Sequence, residues 1–315
     1  IPEITIYSDK VWYVSPDGND EVNTGANGWA DAITVTNAVA KAASHDVLLL
    51  KTGTHLVAEK MTHTKFLAVL GGYVGTEGTS EELSTCNSVL DANYAVSSIF
   101  DLDADNQGSR GYGYFHYFGN LDFTHANGTA VVADNSKYWS VAFDDCRFID
   151  NCSASGGRGF YKKGSYQNTT TIALMHNCEF RGNGLSAGAK AEQEGSAIYL
   201  NYVRLRAFDC RFIENGLRPE IVSGGNGGKM VNPCVSISYG GAKMMNCDFI
   251  HNRGMSTKDG RGAVVYLTST SAGYQFNHCN FVGNETVAAS STTASGIYGG
   301  LTINLGSETS SVKIN

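Results

Sequence analysis

The chain has 315 residues, 42% hydrophobic and 17% charged, with 37 glycines and 4 prolines, which is enough apolar material for a large core. Its net charge of −7, with no block of lysine or arginine, makes nucleic acid or an anionic membrane a poor partner. No stretch approaches the roughly 18 consecutive apolar residues that span a bilayer. The abundance of Gly, Asn, Ser and Thr points to an all-β chain rich in turns.

Ile1 reads as the start of a processed or trimmed chain, because no initiator Met, basic n-region or apolar h-region is present. Residues 1–70 differ in pattern from the rest of the chain and are read as an N-terminal cap with the first coils. Thr34 opens an Ala-rich run to Ala43, which predicts a short capping helix. Asp46-Val-Leu-Leu-Leu50 reads as a buried strand and Gly53 as a turn. The remainder, 71–315, is read as one continuous solenoid of repeats.

Residues 71–135 are expected to form irregular early coils. Asp101, Asp103 and Asp105 alternate onto one strand face, an oxygen cluster of the kind that suits Ca²⁺. Asn106 stands where an EF-hand has glycine and Tyr112 where it has its bidentate Glu, so a polar surface strand is the competing reading. Nothing requires a cofactor; Ca²⁺ is the one left open. Tyr112, Tyr114, His116 and Phe118 also share a face. Exposed, they would stack on sugar rings; buried, they belong to the core. Leu121-x-Phe123 then echoes the phrase that dominates the rest of the chain.

That phrase is Cys-x-Phe-x-x-Asn, and it occurs five times: Cys146/Phe148/Asn151, Cys178/Phe180/Asn183, Cys210/Phe212/Asn215, Cys247/Phe249/Asn252 and Cys279/Phe281/Asn284. The cysteines are spaced by 32, 32, 37 and 32 residues, a period that means stacked repeats. Five and three residues before each Cys stand Val141/Phe143, Ala173/Met175, Leu205/Ala207, Ala242/Met244 and Tyr274/Phe276, an inward strand face. Asp145, Asn177, Asp209, Asn246 and His278 then form polar corners. Cys and Phe face inward on a second strand. Each Asn closes the next turn, where stacked amides can bond along the ladder and tolerate left-handed geometry. The outward position between Cys and Phe reads Arg147, Glu179, Arg211, Asp248 and Asn280, expected to satisfy one another across coils.

A third strand is expected at Gly159–Tyr161, Ala197–Leu200, Ile237–Tyr239, Val264–Leu267 and Gly296–Tyr298. Whether its tyrosines, Tyr161, Tyr199, Tyr239, Tyr266 and Tyr298, face the core or solvent stays open, although Ile237 sharing a face with Tyr239 favours burial. Three short strands per turn with polar corners describe an all-β, right-handed parallel β-helix, the handedness being the usual one for parallel crossovers. Loops after the Asn turns, 153–158, 184–194, 216–236 and 253–261, carry Arg158, Lys190, Arg218, Lys229, Lys258 and Arg261. Functional residues often sit on loops held by a rigid scaffold.

Stacked in register, the five repeat cysteines point the same way from strands about 4.8 Å apart, whereas a disulfide needs converging Cβ atoms. They are expected to be buried free thiols. No Cys-x-x-Cys pair or Cys/His cluster supports zinc, and pairing among Cys86, Cys152 and Cys234 stays open. Val312-Lys-Ile314-Asn315 matches the strand and corner before each repeat Cys, so the natural product is expected to continue or this end to be covered.

Phe148-x-x-Asn151 and its four counterparts, with Gly240-Gly-Ala242, resemble the parallel β-helix proteins of the pectate-lyase-like superfamily. They are most similar to the branch sharing Phe-x-x-Asn and Gly-Gly-Ala repeats with polymorphic outer-membrane proteins. Trp12-Tyr-Val-Ser-Pro-Asp-Gly18, Trp29-Ala-Asp-Ala32 and Gly71-Gly-Tyr-Val-Gly-Thr-Glu77 resemble exported β-helix proteins of gut Bacteroidetes. The resemblance implies a secreted or cell-surface location and an adhesin-like or glycan-related role. Pectate lyases of the superfamily carry Arg-x-Pro-x-x-Arg, and Arg218-Pro219-Glu220 has the wrong flanks. The Gly-His-Gly and Arg-x-Lys signatures of polygalacturonases do not occur. Asp144-Asp145 resembles an acidic pair, but Asp145 falls in the corner column, which favours a turn.

The leading expectation is therefore a non-catalytic surface β-helix that binds a polysaccharide or cell-surface ligand. Its candidate contacts are Tyr112, Tyr114, His116 and the loop cations Arg158, Lys190, Arg218, Lys229, Lys258 and Arg261. The alternatives are a polysaccharide lyase or glycoside hydrolase, and a structural spacer.

Overall fold

The computed structural model describes residues 10–76, 82–103, 115–134, 139–153, 157–165, 171–185, 196–217, 233–256, 264–268, 273–288, 301–304 and 312–314. Its strands stack into four parallel sheets. Sheet 1 has ten strands running from Val11–Val14 to Val312–Ile314 and contains the pre-cysteine strands. Sheet 2 has eight, from Gly53–Leu56 to Asn280–Val282, and carries the phenylalanines. Sheet 3 has eight, from Met61–His63 to Leu301–Asn304. Within each sheet the neighbour of a strand is its counterpart one coil later, which is the topology of a parallel β-helix. Its crossovers take the right-handed sense.

The repeat residues lie where the sequence places them. Phe148, Phe180, Phe212, Phe249 and Phe281 occupy one register column. Their rings stack face to face at 4.5, 5.1, 4.7 and 4.7 Å. Burying each is worth roughly 1.5–3 kcal/mol. Cys146, Cys178, Cys210 and Cys247 are buried free thiols and Cys279 is half-buried. Burial pushes the Cys146, Cys178 and Cys210 thiols up. Cys86, Cys152 and Cys234 are also free, Cys86 exposed and the other two buried.

The corner residues Asp145, Asn177, Asp209, Asn246 and His278 all have φ between 49 and 56°, the left-handed geometry that short polar side chains tolerate best. At the second corner the left-handed residue is the one before each Asn: Asp150, Gly182, Glu214, His251 and Gly283. The expectation that Asn itself takes this geometry is thereby corrected. Its amide is committed to the ladder instead: Asn151 donates to Asn183, Asn183 to Asn215, Asn215 to Asn252 and Asn252 to Asn284, at 2.8, 2.9, 3.0 and 3.0 Å. Each also donates to a phenylalanine carbonyl one coil back, as Asn183 does to Phe148 at 2.9 Å. Between Cys and Phe, Arg211 pairs with Glu179 at 3.2 Å and Asn280 donates to Asp248 at 2.8 Å. Arg147 reaches back to Asp122.

Three other expectations change. Residues 71–135 are more regular than expected where described: Ala68–Tyr73, Ser88–Asp91 and Phe100–Leu102 join the three sheets in order, with one register shift where Leu70–Tyr73 runs beside Leu49–Lys51. Phe123 lies under Phe148, and Leu121 takes the cysteine position. A fourth, five-stranded sheet lies just after the Asn turns, made by Cys152–Ser153, Gly184–Leu185, Gly216–Leu217, Arg253–Ser256 and Glu285–Ala288. It was hidden because its first three strands are two residues long and two of them begin with glycine. Gly216 has φ 110°, and a Cβ there would lie 2.0 Å from the Arg253 carbonyl oxygen.

Finally, the third strand of its coil is Val235–Ser238, not Ile237–Tyr239, with Tyr199 beside Ser236 and Ser236 beside Tyr266. Tyr239 lies just past the strand with φ 56° and 44% exposure, so it is not buried with Ile237. It stacks on Tyr202 at 4.8 Å. The last strand of sheet 3 is Leu301–Asn304, and Tyr298 lies outside the described residues.

The capping helix α1 spans Val35–Lys41, and the Thr34 hydroxyl accepts from the Asn37 N–H as an N-cap should. Val35, Ala38 and Val39 form its buried face. The helix packs over Val11–Val14, Val47–Lys51 and Met61–His63, covering edges that the first coil would otherwise expose.

Candidate functional site

The outward face of sheet 3 brings together more of the expected site than any other described surface. In Arg158–Lys163, Phe160 and Lys162 point inward and are fully buried, so Tyr161 and Lys163 belong to the outer side, while Arg158, at the strand's first position, is only half-buried and brings its guanidinium to the Tyr161 ring. The next strand repeats this pattern, with Ile198 and Leu200 buried and Tyr199 half-buried. Register sets Tyr161 directly beside Tyr199. Their rings stack at 5.4 Å with 17° between planes. The Arg158 guanidinium lies 5.6 and 5.5 Å from the two ring centres, within reach of a cation–π interaction.

Charged groups of both signs surround this pair. The Tyr161 hydroxyl donates to Asp134 at 3.1 Å, and Lys163 lies 4.0 Å from the same carboxylate. Two coils earlier in the column Asp101 pairs with Lys60 at 2.8 Å. Asp103, two residues on, is exposed. Asp101 and Asp103 thus share the outward side as expected, and Asp105 lies outside the described residues. Among the described residues no three His, Cys, Asp or Glu side chains gather as a metal-holding group. Asp101 has a lysine for its partner.

Of the expected binding residues, Arg158 lies on this face. Tyr112, Tyr114, Lys190, Arg218, Lys229, Lys258 and Arg261 lie outside the described residues. His116 is corrected: it is fully buried on the inward side of sheet 1, its ring edge-to-face with Trp139 at 4.7 Å. Phe118 is buried with it, because both follow the parity that places Val141 and Phe143 inside. The sequence held a signal for the Tyr161–Tyr199 pair. Each follows an apolar residue, Phe160 or Ile198, and neighbours on a strand face opposite ways.

A second polar cluster lies on the adjacent sheet 1 and was not anticipated. His176 sits between two carboxylates, its Nδ1 2.6 Å from Asp144 and its Nε2 3.8 Å from Asp209. Tyr117 donates to the other Asp144 oxygen at 3.0 Å. Burial, reinforced by Asp144, pushes the Tyr117 hydroxyl well up, so it stays protonated. Asn246 donates to Asp209 at 2.9 Å. An imidazole held between two acids can take and return a proton. Asp144 and Asp145 therefore have separate places: Asp145 is the left-handed corner, as expected, and Asp144 bonds to His176.

No protein-family model matches the chain, and no curated protein matches it in sequence. Among solved structures it is similar to pectate lyase Pel9A, at 14% identity and a TM-score of 0.37, over 88% of this chain and 78% of that one. It is similar also to the PL6 family alginate lyase AlyGC, at 12% identity and 0.44, over 99% of this chain and 41% of that one. A third is the GH136 lacto-N-biosidase from Eubacterium ramulus, at 11% identity and 0.38, over 94% and 68%. The chain therefore spans well under half of the alginate lyase. The fold assignment rests on the four sheets described above rather than on these likenesses.

Proposed function

We propose that this chain is an exported, surface-exposed β-helix that binds glycans on the outward face of sheet 3. The observation that carries the reading is the stacked Tyr161–Tyr199 pair with Arg158 beside both rings. Flat aromatic faces offer apolar area for the C–H faces of sugar rings, and polar groups around them fix orientation. Asp134, Lys163, Lys60 and Asp101 supply acceptors and donors for hydroxyls. Arg158 supplies a planar fork suited to a sugar carboxylate. Because the two tyrosines stand one strand apart, successive residues of an extended chain would run along the helix axis.

The test is binding to a panel of neutral and uronate polysaccharides by wild type, Tyr161→Ala, Tyr199→Ala and the double variant. Binding that falls about tenfold or more in the double variant, with an unchanged far-ultraviolet spectrum, supports the reading; this corresponds to about 1.4 kcal/mol. Binding that survives both substitutions refutes it.

A second reading, polysaccharide cleavage, is favoured by the Asp144–His176–Asp209 arrangement, which has the acid and base groups that proton transfer needs. Release of unsaturated sugars absorbing in the ultraviolet, or of reducing ends, that disappears in His176→Ala would establish it. Substrates left intact by wild type across the panel would dismiss it.

A further inference from the structure

Among the described residues, one stretch of the interior gathers several buried nitrogen groups that lack hydrogen-bond partners. In sheet 3 the inward column reads Lys162, Leu200, Ile237, Leu267 from coil to coil, and Ala133 precedes the lysine. In sheet 1 the corresponding column reads His116, Val141, Ala173, Leu205. Trp139, just before Ser140–Asp144, packs on His116, and His63, three coils before Lys162 in the sheet 3 column, acts on His116 from the other side. Lys162 and His116 are 0% exposed, Trp139 1% and His63 5%.

These side chains share one chemistry. Lys162 Nζ, Trp139 Nε1, His63 Nε2 and both His116 nitrogens are buried without a hydrogen-bond partner. Lys162 Nζ stands 3.4 Å from the centre of the Trp139 ring, and a ring face serves only one side of an ammonium. His116 packs edge-on to that indole and lies 5.3 Å from Phe66. Asp46, which faces His63, is already engaged by Trp12 Nε1 and the Ala43 N–H, each at 2.8 Å. Buried polar groups are otherwise nearly always paired, and a buried charge without a counter-charge is more costly still.

We propose that Lys162, Trp139, His116 and His63 form an internal site for a small monovalent anion, a halide or the carboxylate of a small organic acid. Every unpartnered group here either donates a hydrogen bond or can do so when protonated, and such a set is completed by an acceptor that carries negative charge. Without the anion, burial pulls Lys162 down to about 7 and His63 to about 4. Burial also holds His116 well below its usual range, with His63 and Lys162 adding to the effect. The other charged groups facing the cluster are Lys65, which opposes protonation of His63, and Asp46, which favours it. Affinity must therefore be higher at pH 6, where Lys162 carries its proton, than at pH 9, where it has lost it.

The test is thermal unfolding of the full chain at constant ionic strength in sodium gluconate, chloride, bromide, formate and acetate, at pH 6 and pH 9. At an anion concentration a hundredfold above the dissociation constant, the midpoint should rise by about 4 °C at pH 6 and by less at pH 9. A rise with halides alone identifies a halide site, and one shared by formate or acetate identifies a carboxylate site. Lys162→Met should abolish the rise. Trp139→Phe, which keeps a ring face and removes the N–H donor, should reduce it, and this variant decides the matter if Lys162→Met does not fold. Anomalous scattering from bromide-soaked crystals should place an ion beside Lys162 Nζ. A midpoint indifferent to the anion, or equally responsive in the Trp139 and Lys162 variants, would overturn the proposal and leave Lys162 a buried neutral amine.

Discussion

Replacing Asn215 by alanine removes one rung from the middle of the amide ladder. Asn215 is 1% exposed, and its amide makes four hydrogen bonds along the ladder, with the Cys234 thiol also bonded to it. It donates to Asn252 Oδ1 at 3.0 Å and to the Phe180 carbonyl at 2.8 Å. It accepts from the Asn183 amide group at 2.9 Å and from the Asn183 backbone N–H at 3.2 Å. After substitution the Asn183 amide keeps Phe148, and Asn252 Oδ1 keeps the Asn215 N–H. The Asn183 backbone N–H and the Phe180 carbonyl each lose the bond described. At about 1–3 kcal/mol for each buried group left unsatisfied, with the other two losses adding less, the cost is about 3–5 kcal/mol. Asn284→Ala is the internal control. That side chain is only half-buried and donates to Phe249 alone, while accepting from the Asn252 side chain and N–H. Its loss should cost less. Urea unfolding of the two variants, with native-state hydrogen exchange at the Asn183 amide, measures the difference. A cost below about 1 kcal/mol for Asn215→Ala, or equal costs at the two rungs, would refute the reasoning that the ladder is a main restraint on the stack.

The thiols and the fourth sheet give two further tests. A native thiol titration should consume about one equivalent quickly, at exposed Cys86, with Cys279 slower and the buried thiols silent until unfolding. Rapid labelling of Cys178 or Cys210 would contradict their place in the core. Gly216→Ala should cost at least ~2 kcal/mol in urea unfolding, because its φ is 110° and the added Cβ would meet a backbone oxygen that cannot swing aside. A stability within about 0.5 kcal/mol of wild type would show that the short sheet yields without cost.

The sequence revealed the parts of the fold where one residue type recurs at one register position. Cys146, Phe148 and Asn151 fill the same columns in every later repeat, so their alignment needed no knowledge of the loops between them. Sheet 3 was harder to read, because its column changes from Tyr199 to Ser236 and back to Tyr266. The nearby Tyr239 offered a false match that in fact caps the strand beside Tyr202. The parity that sets His116 and Phe118 on one face is right in period, but period alone does not say which side is the core. The contact of Phe118 with Phe143 at 5.3 Å settles that His116 is inside. The His176 cluster was illegible for another reason. Asp144, His176 and Asp209 are far apart in sequence, and only the one-coil rise of the helix sets them side by side.

The central claim, that glycans lie on the Tyr161–Tyr199 platform, is tested most directly by hydroxyl-radical footprinting with and without a saturating bound glycan. Tyr94, at 45% exposure and just past the sheet 2 strand Ser88–Asp91, serves as a reactive control away from the platform. The expected result is protection of Tyr161, Tyr199 and their neighbours Arg158 and Lys163, with Tyr94 unchanged. Protection centred on Tyr117 and His176, or none on sheet 3, would contradict the account.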